Sequence, residues 1–242
     1  MATTNINASK QTFARSGTQS TWSAARNATS SDSHINYTSQ ANKSTAISEF
    51  WSSGRGGGTA AVHRSFFFFD TTLEENGTIT AIDLKIYNST SINTGNAVRV
   101  AKSTAYNTGG GSAYADSEFN NWTTLSSISL SPIPYTTTNH TWTGPGTNTL
   151  SLNSTAISNA NSDDYLNLVL VGGGHDYLNS APSGDIEYHS QIQFASSTEY
   201  PKLVITYTPS GYGNDVNGVA SANIASVNGV ATANIASINS VT

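Results

Sequence analysis

The chain of 242 residues contains no cysteine and carries little charge. Without cysteine it has no disulfide bond, no thiolate ligand for zinc and no thiol nucleophile. Only 10% of its residues are Asp, Glu, Lys or Arg, and its formal net charge is −5. Phosphate binding needs Lys and Arg gathered on one face, whereas the few cations here are scattered along the sequence. We therefore expect no nucleic-acid partner.

The chain also lacks long apolar runs and the usual export signal. No stretch approaches the ~18 apolar residues of a membrane span, which predicts no membrane insertion. The start, MATTNINASKQTFARSG, has neither the basic nor the apolar region of a secretory signal peptide. A surface rich in Ser, Thr and Asn without such a signal predicts a virion-surface protein, extracellular after host lysis. The competing interpretation is a secreted protein whose signal peptide was replaced by the first Met.

Sequence motifs for catalysis are missing. The sequence has no Gly-x-Ser-x-Gly elbow, no His-Glu-x-x-His and no P-loop. Its five histidines never occur at the i, i+2 or i, i+4 spacing that places two imidazoles on one metal ion. We therefore expect no enzyme activity, no catalytic residue and no required cofactor.

Loop carboxylates are compatible with one kind of metal site, that of a structural calcium ion. Carboxylate oxygens are the ligands that Ca²⁺ prefers, and the weak candidates are Asp163, Asp164 and Asp176. The ordinary alternative is that these side chains are solvated. Among the cations, Arg15, Arg64 and Arg99 are expected to pair with strand carboxylates such as Asp70 and Asp83.

Period-two hydrophobicity predicts many short strands. The strongest is Ala60–Asp70, in which four consecutive phenylalanines, Phe66–Phe69, put two rings on each side of a sheet, so both faces need cover. Thr78–Tyr87 alternates well, and Ser44–Trp51 is compatible with one or two helical turns. The shorter candidate strands are Ala97–Ala101, Ser127–Leu130, Thr149–Leu152, Tyr165–Val171, Ile186–Phe194 and Leu203–Tyr207.

This pattern predicts an all-β fold, an antiparallel jelly-roll β-sandwich over residues 1–208. Residues 209–215 are predicted to form a linker to the last segment, residues 216–242.

Two segments resemble a known module. HRSFFFFDTTLEENGTITAIDLKIY (63–87) and QFASSTEYPKLVITYT (193–208) are similar to the opening and closing strand pairs of the DNRLRE domain family of jelly-roll modules. Leu150–Val171 matches its paired late strands in order. The resemblance implies a jelly-roll fold in carbohydrate-associated proteins, of which some bind polysaccharide.

Carbohydrate binding requires exposed aromatic rings that stack on sugar faces. Tyr106 and Tyr114 bracket the Gly-rich segment Gly109–Ser112, and Trp122 lies in a polar stretch shortly after it. These three are the predicted glycan-binding residues. The alternative is that each ring fills the rim of the core.

The last 27 residues contain an eleven-residue repeat. Val216–Ser226 reads VNGVASANIAS, Val227–Ser237 reads VNGVATANIAS, and a third unit begins at Ile238. The repeat has no catalytic group, and a fixed period means that one contact is made repeatedly. Its apolar residues are therefore predicted to serve attachment or oligomerisation, and they are Val216, Val219, Ile224, Val227, Val230, Ile235, Ile238 and Val241.

Two structures fit this repeat. An eleven-residue period gathers the apolar residues on one stripe of a helix, as in a right-handed supercoil, which predicts a self-associating stalk. Asn-Gly in each full unit disfavours a helix and is a turn signal, which predicts an extended tail that fills pockets on a partner. A disordered low-complexity tail is the third possibility.

The phrase NGVAxANIxxVNGV resembles repeats of structural proteins of marine and gut tailed phages. Together the observations predict a non-enzymatic virion structural protein of a tailed phage, either a head or tail decoration or a short fibre. Its expected partners are other virion proteins, further copies of the chain and a cell-surface polysaccharide. The alternative is a secreted carbohydrate-binding module.

Overall fold

The computed structural model describes residues 1–36, 42–54, 58–73, 77–92, 97–106, 113–119, 123–124, 131–194, 199–210, 226–227 and 230–231. Every strand pair in this part of the chain is antiparallel. The strands are β1 Ala2–Asn7, β2 Lys10–Arg15, β3 Ser33–Asn36, β4 Asn42–Ser52, β5 Thr59–Asp70, β6 Thr78–Ile92, β7 Ala97–Lys102, β8 Thr123–Thr124, β9 Ser131–Pro132, β10 His140–Thr141, β11 Gly146–Ser151, β12 Tyr165–Gly172, β13 Ile186–Phe194, β14 Lys202–Thr208, β15 Ser226–Val227 and β16 Val230–Ala231. The helices are α1 Trp22–Arg26 and α2 Ser154–Asp163.

One large sheet, bent over on itself, makes the sandwich. Its strand order is β1-β14-β6-β13-β4-β5-β12-β7-β10, with β11 on β6, β2 on β5 and β3 on β2. One core cluster takes side chains from β6, β11 and β14 and from β5, β7 and β12, so these two sets of strands face each other. The predicted all-β antiparallel sandwich is confirmed.

Strand β5 has buried residues on both faces, as the run of four phenylalanines predicts. Phe67 and Phe69 point into the core between the two sets of strands. Phe66 and Phe68 point the other way, into a second cluster that contains Trp22 of α1. The strand therefore lies between two apolar layers, and α1 covers part of its outer side.

Two features of secondary structure differ from the prediction. Ser44–Trp51 lies within β4, so the suggested helical turn there is wrong. Helix α2 was not predicted; it begins where the Asn153 side chain accepts a hydrogen bond from the Ala156 backbone N–H, at 3.1 Å. Its Ala156 and Ala160, one turn apart, are buried against the sandwich core, so a weakly apolar helix is held by packing. The predicted strand Ser127–Leu130 lies outside the described residues.

The helices α1 and α2 have only 5 and 10 residues. In the described ranges we find no helix with the length and apolarity needed to cross a membrane. Strand β14, which pairs with β1 on one side and β6 on the other, ends at Thr208.

Candidate functional site

The structure places the two predicted sugar-binding tyrosines inside the protein. Tyr106 is 1% exposed and Tyr114 is 3% exposed, and their rings meet edge to face within the second core cluster. The hydroxyl of Tyr106 donates to Thr12, and burial raises the pKa of that hydroxyl. The carboxylate of Glu118 accepts from the Tyr106 backbone N–H at 2.8 Å and holds its left-handed backbone, φ 67°. Neither ring has a free face, so the prediction is wrong for both; Trp122 lies outside the described residues.

The three predicted calcium ligands do not come together. Asp163 and Asp164 lie at the C-terminal end of α2, directly before β12, and Asp176 follows the other end of that strand. A strand of eight residues separates its ends by about 25 Å. Asp163 is exposed and accepts from the Ser162 hydroxyl at 2.8 Å. Among the described residues, no group of three or more His, Asp or Glu side chains is placed to hold a metal ion.

Asp176 instead belongs to a buried ionic cluster with Arg64 and Arg26. Arg64 binds its carboxylate in a bidentate manner, with Nε 2.9 Å from Oδ2 and Nη2 2.7 Å from Oδ1. The side chains of Arg64 and Asp176 are both completely buried. Arg64 also donates to the backbone carbonyls of Phe119 and Arg26. The expected pairing of Arg64 with Asp70 or Asp83 is therefore corrected, because the loop after β12 supplies the carboxylate.

Arg26 is the second cation of this cluster. Its Nε lies 3.0 Å from the Asp176 backbone carbonyl, to which it donates, and 3.7 Å from Asp176 Oδ1. Burial lowers the pKa of Arg26, the negative charge of Asp176 opposes that effect, and the positive charge of Arg64 adds to it. Helix α1, which carries Arg26, is thereby tied to the loop after β12.

Glu49 of β4 adds a second buried carboxylate. It is 1% exposed, and its Oε1 accepts from the backbone N–H groups of His175 and Asp176 at 2.9 and 2.6 Å. The close approach requires glycine at position 172, because a Cβ there would lie 2.3 Å from the Glu49 carboxyl carbon. The segment Gly172–Gly174, which the sequence predicts as a turn, therefore leaves room for the buried carboxyl group of Glu49.

Burial raises the pKa of Glu49 to about 7. The negative charge of Asp176 acts in the same direction, while the hydrogen bonds from the backbone of Asp176 and His175 oppose it. Two neighbouring carboxyl groups can serve as acid and base in an enzyme. Here both side chains are buried, Glu49 at 1% and Asp176 at 0% exposure, so we interpret the cluster as an anchor for the loop after β12.

We expect Glu49→Gln to change the pH dependence of stability. The folded pKa of Glu49, about 7, lies above its ordinary value of 4.5, so the folded protein keeps a proton that the unfolded chain releases between these values. The stabilisation by the proton is complete below the lower value and is lost as the pH rises through the upper one. Glutamine imitates the protonated acid and should keep this stabilisation at every pH.

The free energy of unfolding of the variant, relative to the original protein, should therefore increase by about 3 kcal/mol across this interval, at roughly 1.4 kcal/mol per pKa unit. Urea unfolding at a series of pH values measures it. The difference should be flat below and above the interval, which serves as the internal control. A difference that is constant throughout would contradict the assignment.

The opposite face of the same strands carries an open cleft. The register places Arg15 of β2 opposite His63 of β5, and both His63 and His189 opposite Ser48 of β4. Two residues further along, Phe50 lies between Ala61 and Glu187. Side chains two residues apart on a strand share a face. On this face lies a cleft of about 320 Å³, lined by Arg15, Thr18, Phe50, Thr59, Ala61, His63, Glu187 and His189.

Two residues that line this cleft each have a polar atom without a partner. Nδ1 of His63 and Nε of Arg15 are both buried and have no hydrogen-bond partner. The pKa of His63 is lowered to about 3, by burial first and then by the charges of Arg15 and His189, so its ring is neutral at neutral pH. At the rim, Nδ1 of His189 lies 4.0 Å from Oε1 of Glu187. The cleft therefore contains a cationic donor, a neutral imidazole and a carboxylate.

Only part of the tail is described. Val227 pairs with Val230 and Ser226 with Ala231, in a two-stranded antiparallel sheet of its own. These residues are extended, which favours the extended interpretation over the helical stalk at this point. The other predicted attachment residues lie outside the described residues, and they are Val216, Val219, Ile224, Ile235, Ile238 and Val241.

No protein-family model matches the chain, and a comparison with curated proteins finds no significant match. The resemblances to DNRLRE modules and to phage repeats therefore stay predictions.

Proposed function

We propose that the chain is a non-enzymatic structural protein of a tailed-phage particle, a head or tail decoration or a short fibre. The β-sandwich is the displayed domain, and the C-terminal repeat attaches the chain to other virion proteins or to further copies of itself. The observation that carries this proposal is the eleven-residue repeat, whose apolar residues recur without any group that could do chemistry.

Among the described residues, the sandwich core lies before the repeat. The core clusters and the partly buried residues packed on them extend from Ile6 to Tyr207. The N-terminal strand β1 pairs with β14, so both ends of the sandwich are held in the sheet. The described residues of the tail pair with each other. This separation supports a folded domain that carries a distinct attachment segment.

The tail offers paired apolar contacts. Val227 and Val230 are cross-strand partners, and only Asn228-Gly229 lies between them in the sequence. Asn-Gly is the pair most favoured for two-residue hairpin connections. The same Val-Asn-Gly-Val phrase occurs at Val216–Val219. Repeated pairs of valines give a partner equivalent apolar contacts at a fixed spacing.

A secreted carbohydrate-binding module is the second candidate, and the cleft of Arg15, His63 and His189 favours it. The genes beside the reading frame distinguish the two candidates. Capsid, portal and tail genes support the virion protein, and a cluster for polysaccharide degradation supports the secreted module.

Deleting Val216–Thr242 tests the proposed attachment. The sandwich should stay folded with a nearly unchanged melting temperature, because its last strand ends at Thr208. Incorporation into particles and any self-association should be lost, because the apolar contacts are gone. Copy number in purified particles and light scattering of the isolated protein measure the two effects.

A smaller change provides the matched comparison. Val227→Asp with Val230→Asp puts two carboxylates directly opposite each other at an apolar contact, which should imitate the deletion. Ser226→Asp adds charge next to Val227 on the other face of the strand and should be tolerated. If the truncated protein enters particles at normal copy number and keeps its oligomeric state, the repeat is not the attachment segment and the proposal fails.

A further inference from the structure

The cleft lined by Arg15, Phe50, His63 and the pair Glu187 and His189 is open and carries polar atoms without partners. Buried polar groups in folded proteins nearly always have hydrogen-bond partners, so two exceptions in residues that line one cleft indicate a missing partner there. The cleft volume of about 320 Å³ lies at the lower end of the range for small-ligand sites. We propose that this cleft binds a sugar ring of a neutral polysaccharide.

The hydrogen-bonding groups fit hydroxyls. The Arg15 guanidinium donates only, the Glu187 carboxylate accepts when ionised, and the neutral His63 ring has one nitrogen of each kind. A hydroxyl group both donates and accepts, so neighbouring hydroxyls of one ring can satisfy all three. Thr18 and Thr59 add hydroxyl groups to the wall of the cleft. Nη2 of Arg15 donates to the hydroxyl oxygen of Thr18 at 2.9 Å.

The charges favour a neutral ligand over an anionic one. Arg15 brings one positive charge, and Glu187, whose side chain is 60% exposed at the rim, brings one negative charge; His189 beside Glu187 is charged only when it is protonated. His63 is neutral because burial lowers its pKa to about 3. An anion would gain from Arg15 but would approach past Glu187, whereas a neutral sugar is not repelled by either group.

An apolar wall completes the site. Phe50 is half-buried and lines the cleft beside Ala61. A ring of this kind packs against the C–H face of a pyranose, while the polar groups bind its hydroxyls. The predicted tyrosines were the wrong aromatic residues, and Phe50 takes the place that they were expected to have.

This inference rests on carbohydrate binding, the second candidate function, and names its site. The cleft lies within the sandwich and the attachment segment lies after it, so the two can fail separately. If no sugar binds but deletion of the tail abolishes incorporation into particles, this inference alone is contradicted. If a sugar binds but deletion of the tail leaves incorporation unchanged, the virion proposal alone is contradicted.

The test is an NMR titration of the full chain with linear oligosaccharides of glucose, galactose, mannose and N-acetylglucosamine, observing the imidazole signals of His63 and His189. At least one oligosaccharide should shift both signals in a saturable manner. Affinity should be weak, with Kd about 1 mM for one or two rings. Oligogalacturonate, with the same ring and a carboxylate, forms the anionic arm.

Two variants and one control locate the site. Arg15→Met should weaken binding about tenfold or more, because it removes a charged donor. Phe50→Ala should have a similar effect through loss of the apolar wall. Tyr87→Ala lies in a second surface cleft, of about 340 Å³ beside Lys85 and Lys202, and should leave binding unchanged. Circular dichroism melting confirms that each variant is folded.

The outcomes decide the matter. Saturable shifts that Arg15→Met or Phe50→Ala abolishes, and that Tyr87→Ala preserves, support the proposal. No shift of His63 or His189 with any neutral oligosaccharide overturns it. So do shifts that persist in both cleft variants, or binding of oligogalacturonate without binding of a neutral sugar.

Discussion

Replacing Asp176 with alanine is expected to lower the free energy of unfolding by about 3–5 kcal/mol, as for other buried ion pairs that lose one partner. The carboxylate is completely buried between Arg64 and Arg26, and its removal would take away the buried negative charge that both guanidinium groups contact. Since a domain of this kind is stable by only about 5–15 kcal/mol, much of its stability would be lost. Urea or thermal unfolding followed by circular dichroism measures the change.

A matched control separates burial from hydrogen bonding. The Asp185 carboxylate also accepts hydrogen bonds, from the backbone N–H and the hydroxyl of Ser53 at 2.7 and 2.8 Å and from the Ser52 hydroxyl at 3.4 Å, but it is fully exposed. Asp185→Ala should therefore change the melting temperature little. If Asp176→Ala is no more destabilised than Asp185→Ala, the buried ionic cluster is not what holds the loop after β12.

Replacing all three charged residues Arg26, Arg64 and Asp176 should lower the free energy of unfolding less than replacing Asp176 alone. In Arg26→Met, Arg64→Met, Asp176→Leu no charge of the triad is left without a partner, and apolar replacements of buried ion triads are often neutral. We expect this triple variant to unfold at a higher urea concentration than Asp176→Ala. The comparison measures the cost of unpaired charge rather than the cost of lost volume.

Strands of the sandwich could be predicted because local sequence determines them. Thr78–Tyr87 alternates between apolar and polar residues, and Phe66–Phe69 is a short continuous apolar run of the kind found in strands buried on both faces; both segments are strands. The closing strand was placed correctly for the same reason, from its alternating Leu203 and Ile205. Helix α2 was missed because its apolar face consists of alanines, which give little hydrophobic signal.

The buried ionic cluster could not be predicted from local patterns. Glu49 and Asp176 are 127 residues apart in the sequence, and Arg64 and Asp176 are 112 residues apart. Only the pairing of β4, β5 and β12 brings them together. One signal was available: three glycines before a His-Asp pair, where Gly172 leaves room for Glu49. That segment was predicted to form a turn.

The cleft was missed for a related reason. Arg15, His63 and His189 share a face only because three strand pairs have particular registers, and a shift of one residue would turn each side chain to the other face. Tyr106 and Tyr114 show the reverse error. A tyrosine beside a Gly-rich segment looks exposed in the sequence, but both rings fill the second cluster around Phe66.

Truncation of the phenylalanines of β5 should have effects as large as the loss of Asp176. Phe66→Ala removes a fully buried ring from the cluster around Trp22 and Tyr114, and Phe67→Ala removes one from the sandwich core. Each should lower the free energy of unfolding by about 3–5 kcal/mol, from lost burial and from the cavity that remains. Leu178→Ala, at a side chain that is 58% exposed, is the control and should stay within about 0.5 kcal/mol of the original protein.

The double variant Phe66→Ala, Phe68→Ala tests whether the second cluster is as important as the first. Both rings point away from the sandwich core, and Phe68 stacks on Tyr165 with ring centroids 5.4 Å apart. If the cluster under α1 folds together with the sandwich, one unfolding transition should remain and should move to a much lower temperature. A cooperatively folded double variant with a nearly unchanged melting temperature would show that β5 does not depend on its outer face. In that case α1 and its cluster would be an appendage, and the stability of the domain would come from the core of Phe67 and Phe69.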